Sequence, residues 1–205
     1  MAGIPFLIGR ESYLRPLVES DIEGPYPTWF NDAEACRGNT HHIFPYTAEN
    51  ARSYVRLANS GRRHLVLAIV RRKDGVHIGN IALDKIDYIN RTADLTIMIG
   101  DKTCWGQGYG KETAHLICDH GFFVLNLNRI GCGTFDDNVA MRKLAEYLGM
   151  VEEGRRRQAV YKLGRYIDVI EYGVLRHEYI ARFNLRTIEN QTEENQTEAV
   201  TQRGL

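Results

Sequence analysis

The stretch Ile99-Gly100-Asp101-Lys102-Thr103-Cys104-Trp105-Gly106-Gln107-Gly108-Tyr109-Gly110-Lys111 joins a β-branched run to an amphipathic helix through a loop with three closely spaced glycines. Gly106, Gly108 and Gly110 lack Cβ, so the backbone can turn tightly and bring its N–H groups against an anion. The helix that follows offers the positive end of its dipole to the same anion. The sequence therefore predicts that this loop binds a nucleotide or the pyrophosphate of a coenzyme.

Two common phosphate-binding motifs do not fit this loop. A P-loop requires Ser or Thr after Gly-Lys, but Gly110-Lys111 is followed by Glu112, which would repel a triphosphate. A dinucleotide fingerprint requires G-x-G-x-x-G, whereas the glycines here are spaced two residues apart throughout. What remains is x-x-x-Gly108-x-Gly110 at the start of a helix.

Composition and charge exclude several classes of function. The 205 residues include 26 basic and 26 acidic side chains, so no overall field favours nucleic acid or an anionic membrane. No apolar run approaches the ~20 residues of a transmembrane helix, and residues 1–9 are too short for the core of a signal peptide. The four cysteines form no C-x-x-C pair and have no zinc-ligand spacing. We therefore expect a soluble cytoplasmic protein with reduced thiols, no metal, and no nucleic-acid or membrane partner.

The sequence before the loop predicts strands and helices of an α/β protein. Residues 4–17 predict a strand that ends at Pro16, and two helices follow, the second beginning at Thr47. Residues 64–70 and 76–88 predict a hairpin that turns at Lys73-Asp74-Gly75. Residues 93–99 alternate, with one apolar face and one face formed by Asp94, Thr96 and Met98 that could line a site. His64 and His77 border strands and are expected at the surface or at a sheet edge.

The segments after the loop continue the same pattern. Apolar residues recur at helical spacing from Ala114 to Leu125, residues 129–135 predict a strand, and Asn138 caps a helix that closes at Gly149. Lys111, Glu112, His115 and Asp119 fall on the solvent side of the first of these helices. A final hairpin covers residues 158–163 and 166–175. From residue 184 the composition turns polar and Glu-Asn-Gln-Thr-Glu is repeated, so we expect one domain, 1–183, and a tail, 184–205, that is disordered or a surface helix.

Taken together, residues 7–178 resemble the GNAT superfamily of acyl-CoA N-acyltransferases. Beside the glycine loop, Asn138 stands seven residues before Ala145 and eleven before Gly149-Met150, similar to the family's N-x-x-[S/A]…G-F segment. Residues 153–157 and 164–168 are similar to the branch with ribosomal-protein and amino-sugar N-acetyltransferases. The resemblance implies a mixed, mostly antiparallel, splayed sheet of about six to seven strands flanked by helices, with acetyl-CoA in the split.

The resemblance also implies which residues bind the coenzyme. The pantetheine amides would pair with the backbone of the strand end, the pyrophosphate would lie on the loop N–H groups, and the helix-capping asparagine would contact the coenzyme arm. The residues concerned are Met98, Ile99, Gly100, Trp105, Gly106, Gln107, Gly108, Tyr109, Gly110, Lys111 and Asn138. For Asn138 the alternative is a plain helix N-cap, and both roles can hold.

The chemistry implied is direct attack of a neutral amine on the thioester, which requires a base and a donor to the oxyanion. Asp94 is the candidate base, through a water, with a purely structural carboxylate as the alternative. The backbone N–H of Met98 or Ile99 would stabilise the oxyanion. The acceptor is a small amine, such as an amino sugar nucleotide or a polyamine, or the N-terminus of a ribosomal protein, and the protein is a monomer or homodimer.

The sequence departs from the family at positions that bear on catalysis. Trp105 stands where many members have Arg or Gln, and Met141 replaces a frequent serine. Ala145 stands where many members have the tyrosine that protonates the leaving thiolate, and Tyr147 lies some 200° around the helix from that position. These departures leave a second function open, a non-catalytic module that binds acyl-CoA and regulates.

Overall fold

The computed structural model describes residues 3–183, and an eight-stranded sheet in the order β1-β2-β3-β4-β5-β6-β8-β7 runs through them. The strands are β1 (Leu7–Ile8), β2 (Ser12–Pro16), β3 (Leu65–Arg71), β4 (Val76–Asp87), β5 (Thr92–Ile99), β6 (Arg129–Phe135), β7 (Val151–Lys162) and β8 (Arg165–Leu175). Every neighbouring pair is antiparallel except β5 with β6. This mixed sheet confirms the predicted fold class; the strand count exceeds the expected six to seven, and one of the eight strands is the two-residue β1 at the sheet edge.

Five α-helices within residues 3–183 flank the sheet. They are α1 (Tyr26–Trp29), α2 (Ala48–Ala58), α3 (Tyr109–Asp119), α4 (Val139–Tyr147) and α5 (Arg176–Phe183). Side-chain caps begin two of them: Thr47 accepts a hydrogen bond from the Asn50 N–H, and Asn138 accepts one from the Met141 N–H. These local contacts occur where the sequence pattern predicted helix starts, because a capping side chain satisfies N–H groups that the first turn leaves free.

The helices form two layers on opposite faces of the sheet. On one face α3, α4 and α5 bury the apolar side of β5 and β6, in a core that includes Leu95, Ile117, Ala145 and Tyr179. On the other face α1 and α2 pack on β2, β3 and β4 and reach β5 at Met98. Burial of apolar surface on both faces stabilises the sheet.

The sheet splits between β5 and β6. These two parallel strands pair only from Thr92 with Arg129 to Asp94 with Gly131. Beyond that point, residues 95–99 of β5 pair with β4 alone and residues 132–135 of β6 pair with β8 alone. The predicted splay is therefore confirmed, and it opens toward the glycine loop because that loop follows the free end of β5.

Several local predictions were wrong. Residues 4–17 form the two short strands β1 and β2 instead of one, since the chain turns back at Gly9, whose N–H donates to the Ser12 carbonyl. Helix α5 was not predicted. Glu112 was predicted on the solvent side of α3, but its side chain contacts the turn between β1 and β2. Its carboxylate accepts hydrogen bonds from the Arg10 and Glu11 N–H groups and the Ser12 hydroxyl. His115 and Asp119 hold α5 through the buried Tyr179 hydroxyl, at 2.7 and 2.8 Å.

Other predictions concern absences or residues beyond this description. The predicted tail, 184–205, lies outside the described residues. Within residues 3–183, no helix is long and apolar enough to cross a membrane. The same part of the chain holds no cluster of three or more His, Cys, Asp or Glu that could bind a metal ion. All four cysteines are buried free thiols.

Candidate active site

The glycine loop has the backbone geometry that an anion site needs. Gly106 and Gly108 have positive φ angles of 73° and 91°, and a Cβ added to either would meet no atom within 4 Å. Gly108 is the N-cap of α3 and supplies no side chain to the first turn. The N–H groups of Tyr109, Gly110 and Lys111 therefore have no partner within the helix and face an open surface at its positive end.

Side chains fix this loop from within. The Trp105 indole N–H donates to the Ile99 carbonyl at 2.8 Å, and the Gln107 amide donates to the Thr103 carbonyl. The Cys104 thiol is buried and receives a hydrogen bond from Arg71 at 3.1 Å. Because the side chains of Trp105 and Gln107 form hydrogen bonds within the loop, we expect these two residues to contact an anion through their backbone alone.

Strand alternation decides which backbone groups of β5 face the split. The Gly100 N–H donates to the Ile78 carbonyl, so Gly100 and, by alternation, Met98 direct their N–H groups to β4. The expectation that Met98 offers an oxyanion donor is therefore wrong. The N–H groups of Ile97 and Ile99 point the other way, into the split. The sequence analysis named Ile99 and missed Ile97. The pairing of β5 with β4 decides which of its N–H groups are free, and the sequence alone does not show that pairing.

Polar side chains gather on the face of β5 that carries Asp94. The Asp94 carboxylate is 42% exposed and pairs with the Lys85 ammonium at 2.9 Å. Asp84 of β4 lies opposite Asp94 and contacts His64 Nδ1 at 3.1 Å and the Thr96 hydroxyl at 3.0 Å. Sequence analysis missed Asp84, and it placed His64 at the strand border without a partner. The signal available was Asp84 itself, a carboxylate directly after the apolar run Ile81-Ala82-Leu83 of β4.

A third carboxylate reaches the same face from the far side of the split. Asp94 pairs in register with Gly131, and Glu171 of β8 pairs with Gly133 two residues further along β6. Paired residues direct their side chains to the same face of a sheet, so Glu171 lies on the face of Asp94. The closed end of the split thus has Asp84 and Asp94 on one side and Glu171 on the other.

The segment between α1 and α2 is held on both sides of the split, and on the β5 side the Lys102 ammonium pairs with its Asp32 and Glu34. The Asn138 amide donates to the Gly38 carbonyl at 3.2 Å while its oxygen caps α4. On β7, the Lys162 ammonium donates to the carbonyls of Cys36, Asn39 and His41 at 2.7, 2.5 and 2.8 Å. Burial lowers the pKa of Lys162. Asn138 is therefore an N-cap, and its coenzyme contact stays a prediction.

The position of the missing tyrosine is fully buried. Ala145 of α4 packs in the core with Cys132 of β6 and Met150. Tyr147 packs instead against Phe183 of α5, with ring centroids 5.5 Å apart, and lies under the Lys111 ammonium. No tyrosine of α4 thus reaches the split, in agreement with the helical spacing.

His77 is a core residue, and its predicted surface or edge position is wrong. Its ring stacks on Tyr26 at 5.7 Å, and Nδ1 lies 3.3 Å from the Asp21 carboxylate. Asp21 also accepts two hydrogen bonds from the buried Arg15. Burial alone would raise the pKa of Asp21, but the hydrogen bonds from Arg15 and the interaction with the nearby His77 ring outweigh it and hold this pKa far below its usual range. This network anchors the α1 side of the segment between α1 and α2.

Comparison with known proteins agrees with this geometry. A family model described as an acetyltransferase (GNAT) domain matches residues 12–151. A protein named uncharacterized N-acetyltransferase p20, from Bacillus licheniformis, is 32% identical over 143 residues, 67% of this chain and 79% of that protein. The spermidine N(1)-acetyltransferase of Vibrio cholerae is 32% identical over 105 residues, 51% of this chain and 60% of the relative.

Solved structures share the fold. The crystal structure of spermidine N-acetyltransferase from Vibrio cholerae in complex with CoA and spermine superposes with a TM-score of 0.75. Sequence identity in that superposition is 22%, and it covers 83% of this chain and 98% of the other. At this identity the likeness supports the architecture alone.

Proposed function

The chain belongs to the GNAT family of acetyltransferases, and we propose that it moves the acetyl group of acetyl-CoA to a primary amine of a small cationic acceptor by direct attack. The observation that carries this proposal is the split between β5 and β6, which opens beside a glycine loop with free N–H groups. An extended amide-containing arm fits such an opening, because it can pair with strand backbone as an added strand does.

In this proposal the coenzyme follows β5 from the loop inward. The pyrophosphate lies on the N–H groups of residues 106–111, and the pantetheine amides pair with the exposed edge of β5 near Ile99. The thioester then lies deeper in the split, where the Ile97 N–H points. That N–H, or the one of Ile99, donates to the carbonyl oxygen as it becomes an oxyanion.

The acceptor amine approaches from the face that carries Asp94. A neutral amine attacks the thioester carbonyl carbon, the C–N bond forms, and the C–S bond breaks with the electron pair on sulfur. Asp94, through a water, takes the proton that the amine releases. Lys85 does not block this role, because its ion pair with Asp94 is solvent-exposed and contributes at most about 1 kcal/mol.

The charges near the closed end of the split support a cationic acceptor. Asp84, Asp94 and Glu171 share the acceptor face, where Lys85 already holds an ammonium group against Asp94 and the exposed Arg156 holds a guanidinium against Glu171. Carboxylates attract a second ammonium of a polyamine and repel the pyrophosphate of an amino sugar nucleotide. The segment between α1 and α2, tied to Asn138 and Lys162, favours a small amine over a protein terminus. A relative named for spermidine acetylation is consistent with this choice.

Ala145 keeps the second candidate function in consideration, a module that binds acyl-CoA without turnover. Its burial leaves α4 without a proton donor at the split. A thiolate is a stable leaving group near neutral pH, however, since the thiol pKa is about 8.5, so the missing tyrosine slows the reaction and does not forbid it.

The test is release of free CoA thiol from acetyl-CoA with a panel of amines. We expect turnover with spermidine, little with an amino sugar nucleotide and little with a peptide N-terminus. Asp84→Asn should raise KM for spermidine roughly tenfold, the scale of one lost charge contact, with a smaller effect on a monoamine. A folded protein that binds CoA and acetylates none of these amines would support the binding module instead.

A further inference from the structure

One buried hydroxyl in the split has no partner. Thr134 of β6 is 4% exposed, and its Oγ1 forms no hydrogen bond with any of the described residues. Leaving a buried polar group unpaired costs free energy, so buried hydroxyls are normally bonded. The other fully buried threonine follows that rule, since Thr113 Oγ1 donates to the Tyr109 carbonyl at 2.7 Å.

Strand register locates Thr134 beside the proposed thioester. The last pair of β5 and β6 joins Asp94 to Gly131, and Thr134 lies three residues beyond Gly131, as Ile97 lies three residues beyond Asp94. Both residues therefore stand about 10 Å into the split from its vertex. A coenzyme arm that passes between the strands at this level has Ile97 on one side and Thr134 on the other.

The direction of the side chain also fits. Thr134 pairs in register with Ile170, so both side chains point to the face covered by α4, where Ile170 packs in the core with Ala145. This is the layer in which many relatives, by the resemblance described above, place a tyrosine hydroxyl from α4. The hydroxyl in this chain comes from the sheet and not from the helix.

We propose that Thr134 Oγ1 donates a hydrogen bond to the coenzyme sulfur and stabilises the thiolate that leaves. The inference rests on the proposed function. The C–S bond breaks, its electron pair moves to sulfur, and the threonine keeps its proton while the amine proton goes to water or Asp94. A donor that meets its partner only when coenzyme is bound accounts for a hydroxyl without a protein partner.

Neighbouring groups are less suited to this role. Cys132 lies on the same face of β6, but its thiol contacts Met150 Sδ at 3.6 Å, and burial raises its pKa to about 12. The Tyr172 hydroxyl, on β8 beside Cys132, accepts a hydrogen bond from Arg142 at 3.4 Å. Cys132 thus has a contact within the protein already, and Tyr172 is the one competitor that the experiment must separate.

The experiment measures the thiol pKa of CoA bound to the full-length protein, from the ultraviolet absorbance of the thiolate with desulfo-CoA as the blank. The variants are Thr134→Val, Thr134→Ser, Tyr172→Phe and, as a matched buried threonine, Thr113→Val. We expect Thr134→Val to raise the bound thiol pKa by about one unit, the effect of one hydrogen bond to a charged group. It should also lower kcat for spermidine acetylation about tenfold, while Thr134→Ser stays near wild type.

Stability separates this role from a structural one. Thr134→Val removes an unpartnered hydroxyl, so it should melt at or above the wild-type temperature, whereas Thr113→Val should melt lower and leave the thiol pKa unchanged. An unchanged thiol pKa in Thr134→Val, or a shift seen in Tyr172→Phe instead, overturns the proposal while acetyl transfer still stands. Failure of the wild-type protein to bind CoA overturns both.

Discussion

Replacement of Gly108 by valine should weaken CoA binding far more than it destabilises the protein. Gly108 has a φ of 91°, and a valine there would be strained at a cost of about 1–2 kcal/mol. Because a Cβ at Gly108 meets no protein atom within 4 Å, the added side chain points into the open surface where the pyrophosphate is proposed to lie. Loss of one charge-assisted hydrogen bond of about 1.5–3 kcal/mol corresponds to a Kd roughly 10 to 150 times higher.

The hairpin turn between β3 and β4 offers the matched control. Gly75 has a φ of 71° and likewise no atom within 4 Å of an added Cβ, so Gly75→Val should carry the same backbone strain. Both variants should melt a few degrees lower, at about 2–4 °C per kcal/mol for a domain of this size. Calorimetric titration with CoA decides the matter: equal Kd values for wild type and Gly108→Val, or an equal loss in Gly75→Val, would refute the loop assignment.

Two further predictions concern carboxylates. Asp94→Asn should lower kcat/KM roughly a hundredfold with spermidine, the scale of general base catalysis, and leave CoA affinity near wild type in calorimetry; an unchanged rate would show that solvent or another residue takes the proton. Asp21→Asn should cost about 3–5 kcal/mol at pH 7, because it leaves Arg15 buried without its partner, whereas Asp74→Asn breaks a partly exposed pair with Arg71, which keeps Asp101 as a second partner, and should cost at most about 1 kcal/mol. Since the folded state depresses the pKa of Asp21, that stability is present above pH ~4 and lost as pH falls further, so thermal melts of wild type and Asp21→Asn should converge in acid.

The elements that the sequence predicted well are those with local causes. The glycine spacing, the alternation along β5 and the caps at Thr47 and Asn138 each act within a few residues, so a window of sequence contains the whole cause. The position of α5 does not follow this rule. The hydroxyl of its buried residue, Tyr179, forms hydrogen bonds with His115 and Asp119, some 60 residues earlier. No pattern within a short stretch of sequence predicts that contact.

The acceptor side of the site was predicted less completely for a related reason. Asp84 is a candidate site residue because the hairpin register places it opposite Asp94, and a bulge follows at Lys85, whose φ is 52°. His77 is buried because Tyr26 and Asp21, both about 50 residues earlier, surround it. Residues distant in sequence determine the surroundings of such side chains. The periodicity of the sequence predicts only which residues of one strand share a face.

Close packing at two glycines limits the path that an acceptor can take into the split. A Cβ at Gly100 would overlap the Trp29 indole, and a Cβ at Gly38 would overlap the Asn138 amide. Helix α1 therefore packs directly on the end of β5, and the segment after it packs on the start of α4, the two sides of the proposed coenzyme path. On this face α1 and α2 pack against β5 at Met98 and just after it at Gly100, so we expect an amine to approach over the part of β5 before Met98, which carries Asp94 and Thr96. That route passes Asp84, Asp94 and Glu171, so we expect the packing beside the proposed coenzyme path also to direct a cationic acceptor past the carboxylates.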